Sequence, residues 1–593
     1  MTYYIRHNDK QKNLADFYIV HDVGAIQEND SQQGLAHFLE HMAFNGTKNL
    51  PGKMLIEYLE KVGVKFGANL NASTSWDVTQ YLMRDVPTVR EGIVDSALLV
   101  LHDWSNFIAL EPKEIDSERG VIMEELRTRD NAQWRSMVQF LKALTKGTKY
   151  EHRNLIGYLD GLKSFDHSDI EDFYNTWYRP DYQAVVVVGD IDVDKVENKI
   201  KTLMADIPAS PTDAPQKEVI VVPDNKEPII SIFTDPEMLE SSAAIYCKHE
   251  AMPKDMKNTI LYEKVSLINS LGSAMANARL NEITMKPNAP FTSAYMFNGG
   301  IGICPTLETL VISVNTKDGG LAAGLEAAYT ELKRIREHGF TDGEFERAQN
   351  DVLRREERAY TNRNDRKNQE YVSRYISNFR RNTPIPDAET EWKLDSVLIK
   401  TISLAEVNQL FKNYIHDDNQ VISIEAPIKE GVANPTEEDV KAIIAKVNAA
   451  TVEAYADNTV KEPLIANEKA LKGSPVKKTA VNEILGTTEW TLKNGIKVIV
   501  KPTTFKADEV IVNIRSHAGM SALSDEDYPT ASFFYNIVSN QGVSKFSATD
   551  LKKQLSGKSA RVAMIPTDFM TQMVGSGSPK DLETLLQLQY LYF

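Results

Sequence analysis

The chain is expected to adopt an α+β fold made of repeated homologous α/β domains, and three features of its 593 residues predict this. Strand-like and helix-like periodicities alternate through the first part, the pattern restarts after the proline-containing stretch 208–215, and the opening strands are echoed in order near residue 496. At about 150 residues per domain, length alone gives a prior of roughly four domains. A composition of 42% hydrophobic and 25% charged residues, with 30 Gly and 24 Pro, excludes collagen-like, low-complexity and wholly disordered chains.

The elements follow in chain order. Tyr3 to Ile5 and Asp16 to Val20 read as strands, and Gln33 to Phe44 as a helix whose apolar stripe is Leu35, Leu39 and Met42, stopped by Asn45-Gly46. Leu55 to Val62 reads as a helix, Ala68 to Val86 as a strand pair rich in Thr, Ser and Tyr, and Val89 to Phe107 as a long amphipathic helix. Helices over Ser117 to Arg129 and Asp169 to Tyr178 precede Val185 to Val188, a buried-strand run ended by Gly189-Asp190. The second unit restarts with strands at Glu218 to Val222 and Ile229 to Phe233 and helices from Asn258 and Gly319. Gly343 to Arg381 is a basic helical stretch carrying Arg354, Arg355, Arg358, Arg363, Arg366 and Arg374 among interspersed acids, and a solvated helix face is favoured over an anion site. Scattered Pro, Lys and Asn between Ala449 and Val481 suggest a linker.

After it, the strand at Thr2 is matched by Ile496 to Val500, the run from Asp16 by the run from Glu509, and the run from Asp77 by the run from Phe569. The expected organisation is residues 1–210, 211–455, a linker 456–486, and a partial third domain 487–593. The first copy begins against its first strand and the last helix ends on an uncapped apolar stripe, so both termini are expected to be cut from a longer chain.

The formal charge, 67 basic minus 83 acidic residues, is −16, which disfavours phosphate backbones and makes nucleic acid an unexpected partner. The longest uninterrupted aliphatic run, Ala184 to Val188, is far short of the ~20 residues of a membrane-spanning helix. With only Cys247 and Cys304, far apart, neither a disulfide framework nor a cysteine-based zinc site is indicated, so any metal must be held by His and carboxylates.

His37, Glu40 and His41 lie at about 0°, 300° and 40° around a helix, within one arc of about 100°. Two imidazoles one turn apart can chelate one ion; neutral imidazole suits zinc, and a carboxylate beside the ligands can take the proton of a bound water. With 11 His and 83 acidic residues, chance produces this pattern on the order of 0.03 times per chain, which sets it above the bland reading of two unrelated helix histidines. The corresponding stretch of the later copy, Phe533 to Ile537, has no histidine or carboxylate. For a third ligand, Glu114 to Arg129 offers several acids; Glu118 and Glu125, seven apart, share a helix face, with Glu124 about 120° away.

The order HxxEH is the inverted zinc-protease motif, and the string from Gly34 to Thr47 resembles the pitrilysin, insulysin and mitochondrial processing peptidase family. Asn71 to Ser75, Glu118 to Glu125, Trp177 to Pro180 and Val187 to Asp190 are also similar to that family, so the resemblance spans most of the first two hundred residues and points to its bacterial zinc protease branch. It implies a pitrilysin-like architecture, each domain an antiparallel-rich sheet with helices packed on one face, four domains forming two halves around a linker. It also implies His37, His41 and Glu125 as zinc ligands, Glu118 as the acid that orients them, Glu40 as general base, and Asn71 and Ala72 on an edge strand to which a peptide substrate adds. His41 and Glu125 are 125 − 41 = 84 residues apart, a separation that fits Glu118 better, whereas the local string favours Glu125.

The expected function is therefore a zinc metalloendopeptidase acting on short or unfolded peptides. The family's Arg and Tyr from a last domain have no counterpart here, so the chain alone is expected to be an incomplete site, its remaining half absent. A structural or scaffold homologue without metal is the rival reading, and a zinc hydrolase of non-peptide substrates a third. The resemblance points to the bacterial periplasm or cell envelope and leaves the cytoplasm and a dimer open.

Overall fold

The computed structural model describes residues 1–460 and 462–593; Lys461, inside the expected linker, lies outside the described residues. The chain groups into two compact units. The first takes in residues 1–340, 366–387 and 402–455, and the second residues 341–365, 388–401 and 456–593.

The first unit holds two five-stranded sheets. In one, β1 (Thr2–His7), β2 (Leu14–His21), β3 (Leu70–Thr74), β4 (Thr79–Pro87) and β5 (Gln183–Gly189) lie in the order β1-β5-β2-β4-β3. β1 is parallel to β5, and every other pairing is antiparallel. The other sheet, β6 (Ile229–Asp235), β7 (Ser241–Glu250), β8 (Ser293–Gly299), β9 (Leu307–Thr316) and β10 (Gln420–Pro427), has the order β6-β10-β7-β9-β8, again with only the first and last strands parallel. Two separate stretches of chain have thus adopted one topology.

Helix α1 (Leu35–Met42) and α2 (Met54–Lys61) fall between β2 and β3; α3 (Glu91–Asn106) and α4 (Pro112–Arg129) follow β4. α3 packs on β2 and β4, and its Trp104, fully buried, stacks on Tyr81 with ring centroids 5.2 Å apart. Each good aromatic pair of this kind adds about 1 kcal/mol beyond the area it buries. The run of valines in β5 is explained by burial on both faces. Val185 and Val187 join the main core, while Val186 and Val188 join a second cluster with Tyr18, Leu82 and Val372, the last from the helix Asn368–Arg381. That helix also stacks Tyr375 on Tyr4 at 5.2 Å.

In the second unit, β11 (Val476–Asn482), β12 (Thr487–Leu492) and β13 (Lys497–Val500) form one antiparallel sheet. β14 (Val510–Ser516), β15 (Ala560–Pro566) and β16 (Thr571–Gly577) form another in the order β14-β16-β15. That order and its antiparallel sense repeat β2-β4-β3, and β14 and β16 are the strands whose sequences echo β2 and β4.

Three local expectations differ. Glu218 to Val222 forms no strand, because its backbone is engaged by a side chain rather than a ladder: Thr306 Oγ1 donates to the Ile220 carbonyl at 2.6 Å. The stretch 456–486 contains β11, whose residues are all exposed, so the strand is made by pairing with β12 and leaves no apolar period to read. Gly343 to Arg381 is two helices, Asp342–Thr361 and Asn368–Arg381, broken at the polar turn 363–365. Its arginines find acids, among them Asp508 for Arg354 at 2.9 Å and Asp22 for Arg380 at 3.1 Å. Cys247 and Cys304 are separate buried thiols, and among the described residues no helix is long and apolar enough to cross a membrane.

Candidate metal centre

α1 is short, and its position is set at both ends. At its start, the buried Glu28 carboxylate accepts the Ala36 N–H at 2.8 Å and the Gly34 N–H at 3.1 Å, satisfying donors that a helix N-terminus leaves free. Gly34 has φ +93°, and a Cβ there would lie 2.3 Å from the Ile156 carbonyl oxygen, so both the turn and the close packing require glycine. At its end, the Trp104 indole donates to the Ala43 carbonyl at 3.0 Å. Leu35, Phe38, Leu39 and Met42 are buried as the period implies, which leaves His37, Glu40 and His41 on the remaining arc.

α4 lies against that arc. His41 Nε2 is 3.2 Å from Glu125 Oε2, and His37 Nε2 is 3.7 Å from Glu125 Oε1. One ligand atom from each of His37, His41 and Glu125 lies within 4.8 Å of the others, the one such group of three among the described residues. Glu118, one face-repeat earlier on α4, faces the far side of the same ring: its Oε1 is 2.8 Å from His41 Nδ1, and its Oε2 accepts from Asn45 Nδ2 at 2.6 Å. The two acids that share a helix face therefore have different partners. Glu125 meets both Nε2 atoms; Glu118 meets only the back of His41.

The electrostatics follow from this arrangement. Burial, then the neighbouring His41, holds the His37 imidazole below its ordinary range and so neutral, the form that donates a lone pair. Burial opposes protonation of His41 too, but Glu118 and Glu125 outweigh it and raise it to about 9. The hydrogen bond from His41 lowers Glu125, which also pairs with Arg129 at 2.6 Å. A cluster that draws a proton into its centre is one that a cation can occupy instead. Two imidazole nitrogens and one carboxylate are the donor set of a three-ligand zinc site, with a fourth position left for water.

Glu40 stands beside this set, its carboxyl raised by burial, and Thr74 Oγ1 donates to its Oε2 at 2.5 Å. Thr74 ends β3, the outer strand of the sheet, which among the described strands is paired with β4 and also carries Asn71 and Ala72. Asn71 is exposed, and its side-chain oxygen accepts the Ala72 N–H at 2.9 Å. Reading the sequence missed Thr74, Arg129 and Glu28 as neighbours of the site, and took Asn45 only as a helix stop. Thr74 and Asn45 lie inside the strings that resemble the family, but no spacing rule connects them to residues 34 and 73 positions away.

The later copy differs at the equivalent place. Phe533, Phe534, Tyr535 and Ile537, in and beside the helix Phe534–Asn540, are exposed and offer no ligand.

Comparison with known proteins agrees with this architecture. Residues 3–157 match the pattern described as insulinase, peptidase family M16, and residues 164–352 match the M16 inactive domain. The chain belongs to the insulinase family, peptidase family M16. Within M16, it is similar to a zinc protease PQQL-like protein of Arabidopsis thaliana, 27% identical over all of this chain and 56% of that protein. It is also similar to a probable zinc protease PqqL of Escherichia coli, 27% identical over 93% of this chain and 58% of that protein. The chain thus spans a little over half the length of these M16 relatives. The crystal structure of the periplasmic protease PqqL from Escherichia coli shares the fold, with a TM-score of 0.70 at 24% identity over 99% of this chain and 64% of that one.

Proposed function

We propose that the chain carries the catalytic centre of a zinc metalloendopeptidase, with His37, His41 and Glu125 as ligands. The observation that carries this is the convergence of their ligand atoms within 4.8 Å, with a buried carboxylate, Glu40, beside them. The naming of the M16 relatives as zinc proteases supports the choice of metal. When bound, zinc supplies a water acidified to a pKa of about 7 and polarises the scissile carbonyl.

The rest is done by the chain. Glu40, raised by burial, accepts the proton of the attacking water and passes it to the leaving nitrogen as the peptide bond breaks. Thr74 keeps one of its oxygens fixed, so the other is free for that transfer. Glu118 holds His41 from behind. The outer edge of β3 offers backbone hydrogen bonds to an extended peptide at Asn71 and Ala72 once the Asn71 amide turns off the Ala72 N–H it caps, a mode that reads little sequence and suits short or unfolded substrates. We assign residues 1–210 as the catalytic domain, 211–455 as its homologue without the motif, 456–486 as a linker that includes β11, and 487–593 as a third, partial repeat. The description of the Escherichia coli protein as periplasmic makes the periplasm our proposed location.

Elemental analysis tests this directly. One zinc per chain is expected, lost in His37→Ala; Glu40→Gln is expected to keep zinc and to lose whatever cleavage of an unstructured peptide library the unmodified chain shows. Absence of zinc from the carefully purified unmodified chain would replace this reading with the non-catalytic scaffold.

A further inference from the structure

Beyond the ligands and Glu118, the structure assigns Asn45 and Lys53 as positioning residues of the metal centre, which act through Glu118 to hold His41 with its Nε2 lone pair toward the metal position. The inference rests on the zinc reading above. Glu118 is 9% exposed, and both of its oxygens are taken, one by His41 Nδ1 at 2.8 Å and one by Asn45 Nδ2 at 2.6 Å. An ionised carboxylate only accepts, so His41 Nδ1 keeps its proton, and when a cation displaces the proton that Nε2 shares with Glu125, the lone pair freed is the one at Nε2.

That argument requires the Asn45 amide to present its NH2 to Glu118, and Lys53 enforces it. The Lys53 ammonium, a donor with no acceptor capacity, bonds Asn45 Oδ1. The oxygen end of the amide must face the ammonium, and the NH2 end must then face the carboxylate. Polarity along Lys53, Asn45, Glu118 and His41 is thereby determined from the lysine inward. Asn45 is 5% exposed, so its polar atoms have no recourse to water.

The loop between the two residues is shaped to bring them together. Gly46 pairs with Pro51 in an isolated bridge, and a Cβ on Gly46, at φ +138°, would lie 2.8 Å from the Gly52 nitrogen. Gly52 itself has φ +60°. Asp103, fully buried on α3, accepts from Thr47 Oγ1 at 2.6 Å, Asn49 N at 2.9 Å and Asn49 Nδ2 at 2.7 Å. The hairpin turn 46–52 is thus clamped, and Lys53, the residue before α2, is returned to Asn45, three residues past the end of α1.

The test is zinc affinity of the full 593-residue chain, read by competition with a chromophoric chelator, with the visible absorption of the cobalt-substituted protein as a second signal. Asn45→Leu is expected to weaken zinc about 10–100-fold and to alter the cobalt bands. Lys53→Met is expected to weaken it by about three- to tenfold, and Lys53→Arg to restore the unmodified affinity. Because Asn45 acts through Glu118, Asn45→Leu added to Glu118→Gln is expected to cost nothing further. Additive losses in that double variant, or an Asn45→Leu affinity within about twofold of the unmodified chain, overturn the inference. Thermal unfolding of the metal-free proteins checks folding; if Asn45→Leu does not fold, the exposed Lys53→Met decides, and an unchanged affinity overturns the inference. If the unmodified chain shows no zinc binding dependent on His37, the functional reading fails and takes this one with it. His37-dependent binding that is indifferent to residues 45 and 53 removes this inference alone.

Discussion

Two helices occupy the same place in two sheets of identical strand order. α1 lies between β2 and β3, and Ile260–Thr284 between β7 and β8. Both bury charged or titratable groups, yet to different ends. On Ile260–Thr284, Arg279 is 2% exposed and paired at 3.2 Å with Glu331, itself 1% exposed. The guanidinium also donates to the Gly339 carbonyl at 2.8 Å and lies over the rings of Phe340 and Tyr455. Its cation comes from the protein, so the site is closed. α1 instead contributes ring nitrogens and, with α4, converges them on Glu125, whose one arginine partner, Arg129 at 2.6 Å, is exposed where Arg279 is buried. The same scaffold is a structural clamp when its buried groups supply both signs of charge and a candidate metal centre when they supply only ligands.

The largest effect expected is the loss of zinc, from about one per chain to near none, in His37→Ala and His41→Ala, with zinc unchanged in Arg279→Met. Zinc loss in the arginine variant, measured by elemental analysis, would break the comparison. Next, Arg279→Met alone leaves Glu331 buried with only Arg334 and is expected to cost about 3 kcal/mol in urea denaturation, whereas Arg279→Met with Glu331→Leu is expected to recover most of it. A double variant as unstable as the single one would show that the pair contributes more than closure.

Smaller, and diagnostic by location, are two glycines. A Cβ on Gly34 meets the Ile156 carbonyl at 2.3 Å, and one on Gly272 meets the Phe411 ring at 2.0 Å. Gly34→Ala and Gly272→Ala are each expected to cost about 1–3 kcal/mol. Only Gly34→Ala should also weaken zinc, since it moves the start of α1; equal zinc affinities in the two variants would argue against that coupling.

The smallest expected effect is a pH dependence confined to the first sheet. Burial pushes the Asp16 carboxyl of β2 up to about 6, and β7 has no aspartate. Its ionised form is the disfavoured one when folded, so this group's contribution is fullest below the ordinary carboxylate range and is lost as pH rises through 6. Asp16→Asn should therefore gain stability relative to the unmodified chain between pH 4 and 6, measured by urea midpoints. A constant difference across that range would remove Asp16 as the cause.

Much of this was legible beforehand for reasons that are local. His37, Glu40 and His41 share an arc because a helix has a fixed turn, and Leu35, Leu39 and Met42 mark which arc is buried. The echo of β2 and β4 in β14 and β16 was readable because strands that pair alike keep alike patterns. β11 was not legible, since all its residues are exposed and only the ladder with β12 makes it a strand. Nor was the break in the basic stretch, where charge rather than apolar period dominates the sequence.

The choice between Glu118 and Glu125 shows where local rules end. Seven residues apart on one helix, they are equivalent by periodicity, and only the resemblance of the local string favoured Glu125. Helical geometry, residue chemistry and hydrophobic period together determined the kind of site, a His-His-carboxylate set without cysteine. The tertiary structure decided which carboxylate faces which ring nitrogen, because that depends on how α4 packs across α1. It also decided that Asn45 and Lys53 stand behind Glu118, because a turn clamped by a distant aspartate brings them there. Contacts across 77 residues of chain are set by packing of whole elements, and no period within either element encodes them.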